Sequence, residues 1–187
     1  MVVFWVMVAI AVVIILWLIS TYNLLIALKN QSLNGWKQID VQLKRRHDLI
    51  PNLVDTVKGA MSYEQKTLTM VIEARNKAIA DHGVADKAAQ ENVLTGTLRQ
   101  LFALVENYPN LKANENVTRL QEELVSTENR ISFARQFYND IATKCNTVQQ
   151  TFPANMVAGA FGFKTQELFE ITQPGEKEVP RVDLSIK

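Results

Sequence analysis

Near the start of the chain, Val2–Ile19 reads VVFWVMVAIAVVIILWLI, and no charged side chain occurs before Lys29. A helix needs about 20 such residues to cross bilayer hydrocarbon. A secretory leader is the competing reading. It calls for Lys or Arg ahead of the apolar run and small residues at a cleavage site, and the flank WLISTYN offers neither. The expectation is therefore an uncleaved membrane anchor over residues 1–21. Phe4 and Trp5 suit the aromatic belt of one interface, Trp17 and Tyr22 that of the other.

Orientation follows from the flanks. Lys29, Lys37, Lys44, Arg45 and Arg46 all come after the span, and positive charge stays inside. The expected protein is single-pass, with its N-terminus outside and the remainder cytoplasmic. Lone Cys145 allows no internal disulfide and suits a reducing compartment. A formal net charge of +1 gives no global field to attract nucleic acid.

The 187 residues suffice for one domain with a real core, and the scarcity of Gly (7) and Pro (5) favours long helices. Apolar residues keep helical spacing past the anchor at Tyr22, Leu25, Leu28, Leu33, Trp36, Ile39 and Leu43. The first helix is expected to leave the membrane and end near His47. In KRRHDLIPNLV (44–54), Asp48 reads as an N-cap and Pro51 as a first-turn proline, while Lys44, Arg45 and Arg46 suit the preceding helix's C-terminal dipole. Helices are thus expected at about 22–47, 49–80, 86–107 and 116–152. The last has the cleanest period, with Val117, Leu120, Leu124, Thr127, Ile131, Ala134, Tyr138, Ile141, Cys145, Val148 and Phe152 separated by threes and fours. The predicted fold is all-α: a transmembrane helix continuing into a long antiparallel, up-down four-helix bundle (22–152) with coiled-coil-like packing. An apolar membrane-proximal segment (153–172) and a polar, extended or disordered tail (173–187) follow.

Chemistry is sparse. His47 and His82 fall at opposite ends of the second expected helix, no Glu-x-x-His pair occurs, and one cysteine excludes multi-thiolate sites, so no metal or other cofactor is expected. His47 beside Asp48 lacks a nucleophile elbow. GAFGFKT (159–165) departs from a phosphate loop in its glycine spacing and follows no strand. Neither catalytic residues nor a small-molecule substrate is expected.

Two stretches keep more than one reading. The cluster Lys44, Arg45, Arg46, His47, Asp48 and Pro51 is a helix junction, or else a docking surface for another protein. A straight first helix would place its cations about 35 Å beyond the membrane, several Debye lengths of about 8 Å from lipid charge. Met156, Val157, Phe161, Phe163, Leu168 and Phe169 are more apolar than a loop needs. They cap their own bundle, dock on a neighbouring protomer, or lie on the bilayer. Gln38, Gln42, Asn139 and Asn146 near the seams read as register devices.

The blocks WKQIDVQLKRRHDLIPNLVDTVKG (36–59) and FARQFYNDIATKCNTVQQTFPANMVAGAFGF (133–163), with Tyr22-Asn23 after the anchor, resemble the signature blocks of the LemA family. The likeness runs to about Phe169. It implies a bacterial protein with an N-terminal anchor and a cytoplasmic antiparallel helical bundle, and no established reaction. Gly35 stands where the family often has Ala, Tyr63-Glu64 where His-Glu is common, and Cys145 where an aromatic is usual.

The expected function, with the bacterial setting that the resemblance implies, is a non-enzymatic scaffold or interaction protein that is held in the lipid bilayer of the bacterial inner (plasma) membrane and self-associates into a homo-oligomer. The alternative is an adaptor or regulator that binds a membrane protein such as a protease or sensor kinase.

Overall fold

The computed structural model describes residues 1–61, 63–80 and 83–169, and these are largely helical with no strand among them. Among these described residues six helices follow one another: α1 (Val2–Lys58), α2 (Gln65–Ile79), α3 (Val84–Val105), α4 (Pro109–Lys112), α5 (Glu115–Gln150) and α6 (Ala154–Ala160). The all-α expectation is met, and the helix bounds differ from those expected. The polar tail (173–187), His82 and the last residues of the apolar segment (170–172) lie outside the described residues.

The largest departure is in α1. The break expected between His47 and Leu49 is absent, and the helix runs on to Lys58 with Pro51 inside it. Asp48 therefore caps nothing. A proline within a helix costs about 3 kcal/mol, because its ring crowds the preceding turn and its missing N–H deprives the carbonyl four residues back. Here that carbonyl belongs to His47, and Arg75 Nε donates to it at 2.7 Å. Ile50, Leu53, Val54 and Val57 are buried on the same turns, and each contributes about 1.5–3 kcal/mol relative to exposure. Burial and the substitute donor outweigh the proline. Helix α1 ends at Lys58 and α2 begins at Gln65, which splits the helix expected over 49–80. With that helix interrupted, the separation inferred between His47 and His82 loses its basis. The stretch between the helices expected at 86–107 and 116–152 also carries the one-turn helix α4.

The chain divides into two compact units, the first comprising Met1–Arg46 and Glu123–Leu168, the second His47–Glu122 with Phe169. In the first unit, α1 is exposed on all sides up to Ser20. Its most apolar 18-residue window has a mean hydropathy of 3.2 with none of it buried, so it is long and apolar enough to cross a membrane. Burial begins at Thr21 and then follows steps of three and four through Leu25, Leu28, Ser32, Gly35, Ile39, Leu43 and Arg46. On α5 the matching line is Leu124, Thr127, Ile131, Arg135, Tyr138, Ala142, Cys145 and Gln149.

Gly35 lies against Tyr138 and Arg46 against Glu128, so the two helices run antiparallel within this unit. A Cβ built on Gly35 would stand 3.3 Å from Tyr138 Cα, and the bare glycine lets the backbones meet there. Trp36 closes over the same contact, its ring 5.6 Å from that of Tyr138.

In the second unit, α2 and α3 pack along each other. The Tyr108 hydroxyl reaches Glu64 at 3.5 Å, which brings the region after α3 beside the start of α2. Leu53, Val57, Met61, Val71, Ala78, Leu94, Leu101 and Leu111 form much of the unit's interior.

Candidate functional site

The basic stretch is divided between surface and interior. Lys44 and Asp48 are exposed. Arg45 is half exposed and lies 3.8 Å from Glu123, a separation at which a surface ion pair contributes little. Arg46 is 3% exposed, and its Nη1 meets Glu128 Oε2 at 3.0 Å. His47 is buried as well, its Nε2 2.6 Å from Oε1 of Glu91, which is fully enclosed. The structure thus pairs His47 with Glu91 and not with Asp48.

Sequence reading missed Glu91 because AAQENVL gives no sign that its glutamate faces inward. In hindsight the helical register shows it, since Glu91 falls between Ala88 and Leu94, both fully buried. Among the described residues no three His, Cys, Asp or Glu side chains gather as a metal ion would require.

The segment after α5 forms a defined structure on the first unit. The chain turns at 151–153, and α6 then lays Val157 and Ala158 against Leu25, with Tyr22, Val148 and Phe163 packed around them. Helix α6 ends in a Schellman motif: Phe163 N–H donates to Ala158 O at 3.0 Å and Gly162 N–H to Gly159 O at 3.2 Å. Gly162 takes φ +66°, the left-handed conformation that favours glycine at this position. GAFGFKT is accordingly a helix stop.

Beyond it the chain runs extended along α5. Asn146 clamps the backbone of Gln166 from both sides, Nδ2 donating to its carbonyl at 2.9 Å and Oδ1 accepting from its N–H at 2.7 Å. Tyr138 donates to Glu167 O at 2.7 Å. Burial raises the Tyr138 pKa; the Ser32 hydroxyl beside the phenol opposes the rise, and the Glu167 carboxylate adds to it.

Of the six apolar residues singled out here, Val157 and Phe169 are buried and Phe163 and Leu168 half-buried, whereas Met156 and Phe161 remain exposed, as does neighbouring Phe152. The Phe161 ring lies 4.8 Å from that of Tyr22. Phe4, Trp5 and Trp17 are exposed along the apolar part of α1.

A groove of about 550 Å³ opens between α1 and α5, lined by Val41, Gln42, Phe133 and Phe137 with Lys37 and Arg130 at its sides. Phe133 and Phe137 are exposed. They too escaped the sequence reading. Two aromatics four residues apart and off the buried line of α5 were the available signal.

These features define an all-helical protein with a candidate membrane-spanning N-terminal helix and two exposed apolar surfaces on the unit that carries it. The chain belongs to the LemA family, whose profile matches residues 35–184. It is 26% identical over 160 residues to Protein LemA of Metamycoplasma hominis, covering 83% of this chain and 69% of that protein. It is 22% identical over 188 aligned positions to Magnetosome protein MamQ 2 of Paramagnetospirillum magneticum and to Magnetosome protein MamQ of Magnetospirillum gryphiswaldense, in each case covering 87% of this chain and 69% of the relative. The family resemblance read from blocks 36–59 and 133–163 is borne out.

Proposed function

We propose that this protein is a non-enzymatic scaffold, anchored in a bacterial inner membrane by the N-terminal part of α1, that self-associates through the first unit. The observation that carries the reading is the groove between α1 and α5, where Phe133 and Phe137 stand in solvent beside Val41. Aromatic side chains of that size stabilise contacts well when covered. Copies held in one membrane with one orientation present this face at one height, so a second copy is its natural occupant, meeting it in an isologous contact. The burial steps of three and four on α1 and α5 support coiled-coil-like packing of that pair. Lys29, Lys37, Lys44 and Arg45 support a cytoplasmic location for the residues beyond the span. A non-enzymatic role accords with the burial of the His47–Glu91 pair.

The test is the mass of the full-length protein in mild detergent beside a Phe133→Gln/Phe137→Gln variant. A defined complex that falls to monomer in the variant is expected. A monomeric wild type would sink self-association.

The second reading is an adaptor that binds an acidic helix of another membrane protein, such as a protease or sensor kinase, and it is favoured by Lys37 and Arg130 flanking the same groove. Under that reading Lys37→Glu/Arg130→Glu abolishes recovery of the partner and leaves self-association unchanged.

A further inference from the structure

We propose that Phe152, Met156 and Phe161 form a second, in-plane contact with the interfacial layer of the bilayer, so that the chain both crosses the membrane and rests on it. The proposal builds on the reading of the N-terminal part of α1 as a membrane span.

Depth is the first argument. Residues 2–21 of α1 extend for about 30 Å at 1.5 Å per residue, which matches the hydrocarbon thickness of a bilayer. Tyr22 therefore falls at the boundary between hydrocarbon and headgroups, where tyrosine is enriched. The Phe161 ring is 4.8 Å from the Tyr22 ring, and Phe163 follows at 6.0 Å. Whatever depth Tyr22 has, Phe161 shares to within a few ångströms.

Rigidity is the second. Phe161 is the C-cap of α6, and α6 is fixed on α1 by Val157 and Ala158 against Leu25. Gly162 stops the helix, and the Asn146–Gln166 clamp holds the chain that follows. An aromatic mounted this way cannot fold inward to escape water. Phe161 remains 64% exposed, Met156 67% and Phe152 80%.

Continuity is the third. The exposed apolar surface of α1 reaches the end of the span, and Tyr22 joins it to α6. The same lipid that covers Val2–Ile19 meets Phe161 at its own boundary. Apolar side chains in such a position insert about 5–10 Å into the boundary between headgroups and acyl chains.

The experiment uses the full-length chain in phospholipid vesicles, with Cys145→Ala as background and a polarity-sensitive fluorophore on one introduced cysteine at a time. Met156→Cys and Phe161→Cys probe the contact, Val125→Cys reports an exposed position on α5, and Val12→Cys reports the span. The labels at 156 and 161 are expected to emit further to the blue than the label at 125. They should also lose intensity to lipids brominated about 5–10 Å below the headgroup boundary, while the label at 12 responds to bromines near the chain ends. Labels at 156 and 161 that behave like the label at 125, with the label at 12 still quenched, would overturn the contact and leave the span standing. A blue shift at 156 and 161 without bromine quenching would mean that a neighbouring protein covers them, and this too overturns the proposal. An unquenched label at 12 removes the span and the contact together.

Discussion

Arg75 Nε donates a 2.7 Å hydrogen bond to the carbonyl oxygen of His47, the group left without its helical partner by Pro51. The side chain comes from α2, 28 residues further along the chain. A helix that local sequence signals would end is thereby continued by a donor from a different helix.

The first prediction concerns that substitution of donors. Arg75→Met is expected to destabilise the protein by about 1–3 kcal/mol, the cost of leaving a sheltered acceptor unsatisfied. Pro51→Ala returns an N–H to His47, so in the Pro51→Ala background the same Arg75→Met change should cost distinctly less. Chemical denaturation of the detergent-solubilised chain, followed by circular dichroism, gives the four corners of this cycle. Strict additivity would show that Arg75 does not serve the carbonyl that Pro51 frees.

The buried pair makes the second. His47→Leu leaves the enclosed Glu91 carboxyl without the imidazole 2.6 Å away and should cost about 3 kcal/mol, at the lower end for breaking a buried pair. His47→Leu/Glu91→Leu, which removes both polar groups, should recover much of the loss. Equal destabilisation in the single and double variants would rule out the pair as the source.

Asn146 supplies the third. Its amide replaces a strand partner for Gln166 with bonds of 2.7 and 2.9 Å, each worth about 0.5–1.5 kcal/mol net. Asn146→Ala should speed amide exchange at Gln166 and make residues 163–168 the first site of limited proteolysis, while α5 stays protected. Unchanged exchange at Gln166 would mean that the extended run is held elsewhere.

The fourth concerns alkaline pH. The Tyr138 pKa lies above the ordinary value of 10.0, chiefly because burial disfavours the phenolate. The unfolded chain gives up this proton first as pH rises. The contribution is therefore complete below the ordinary value and is lost as pH climbs through the raised folded value. Tyr138→Phe should lower stability at neutral pH through the lost bond to Glu167 O, and should also flatten the alkaline limb of the stability profile. Parallel pH profiles for the two proteins would contradict the shift.

The sequence made some of this architecture readable and concealed the rest for physical reasons. Val2–Ile19 was legible as a candidate span because length and the lack of charge are read directly from a local window. The three-and-four spacing of α5 was legible wherever the interior is apolar, as at Leu124, Ile131, Tyr138 and Cys145. It drifted where the interior is not: Arg135 and Gln149 are buried, whereas Phe152, expected on that line, is exposed. On α1, Ser32 and Gly35 occupy the buried line while Leu33 faces out, because close helix contact demands small side chains and hydrophobicity does not report size. Asp48 and Pro51 were sound local signals overruled by the burial of Leu53 and Val57 and by Arg75, a donor that no local window contains. Of the candidate surfaces, the segment around Met156 and Phe161 was visible from composition, and the Phe133–Phe137 groove emerged only with the helix register.

Between the exposed apolar turns of α1 and its first buried residue, Thr21, there is no linker. A bilayer thinner or thicker than the span creates a hydrophobic mismatch that a flexible hinge would absorb. Here helix and packing begin within one turn of each other, so with the proposed span in place the mismatch would become a tilt of the whole first unit, at a cost of fractions of a kcal/mol for each ångström. A protein anchored as proposed would carry its own gauge of membrane thickness and would partition among membranes, or among regions of one membrane, according to their depth.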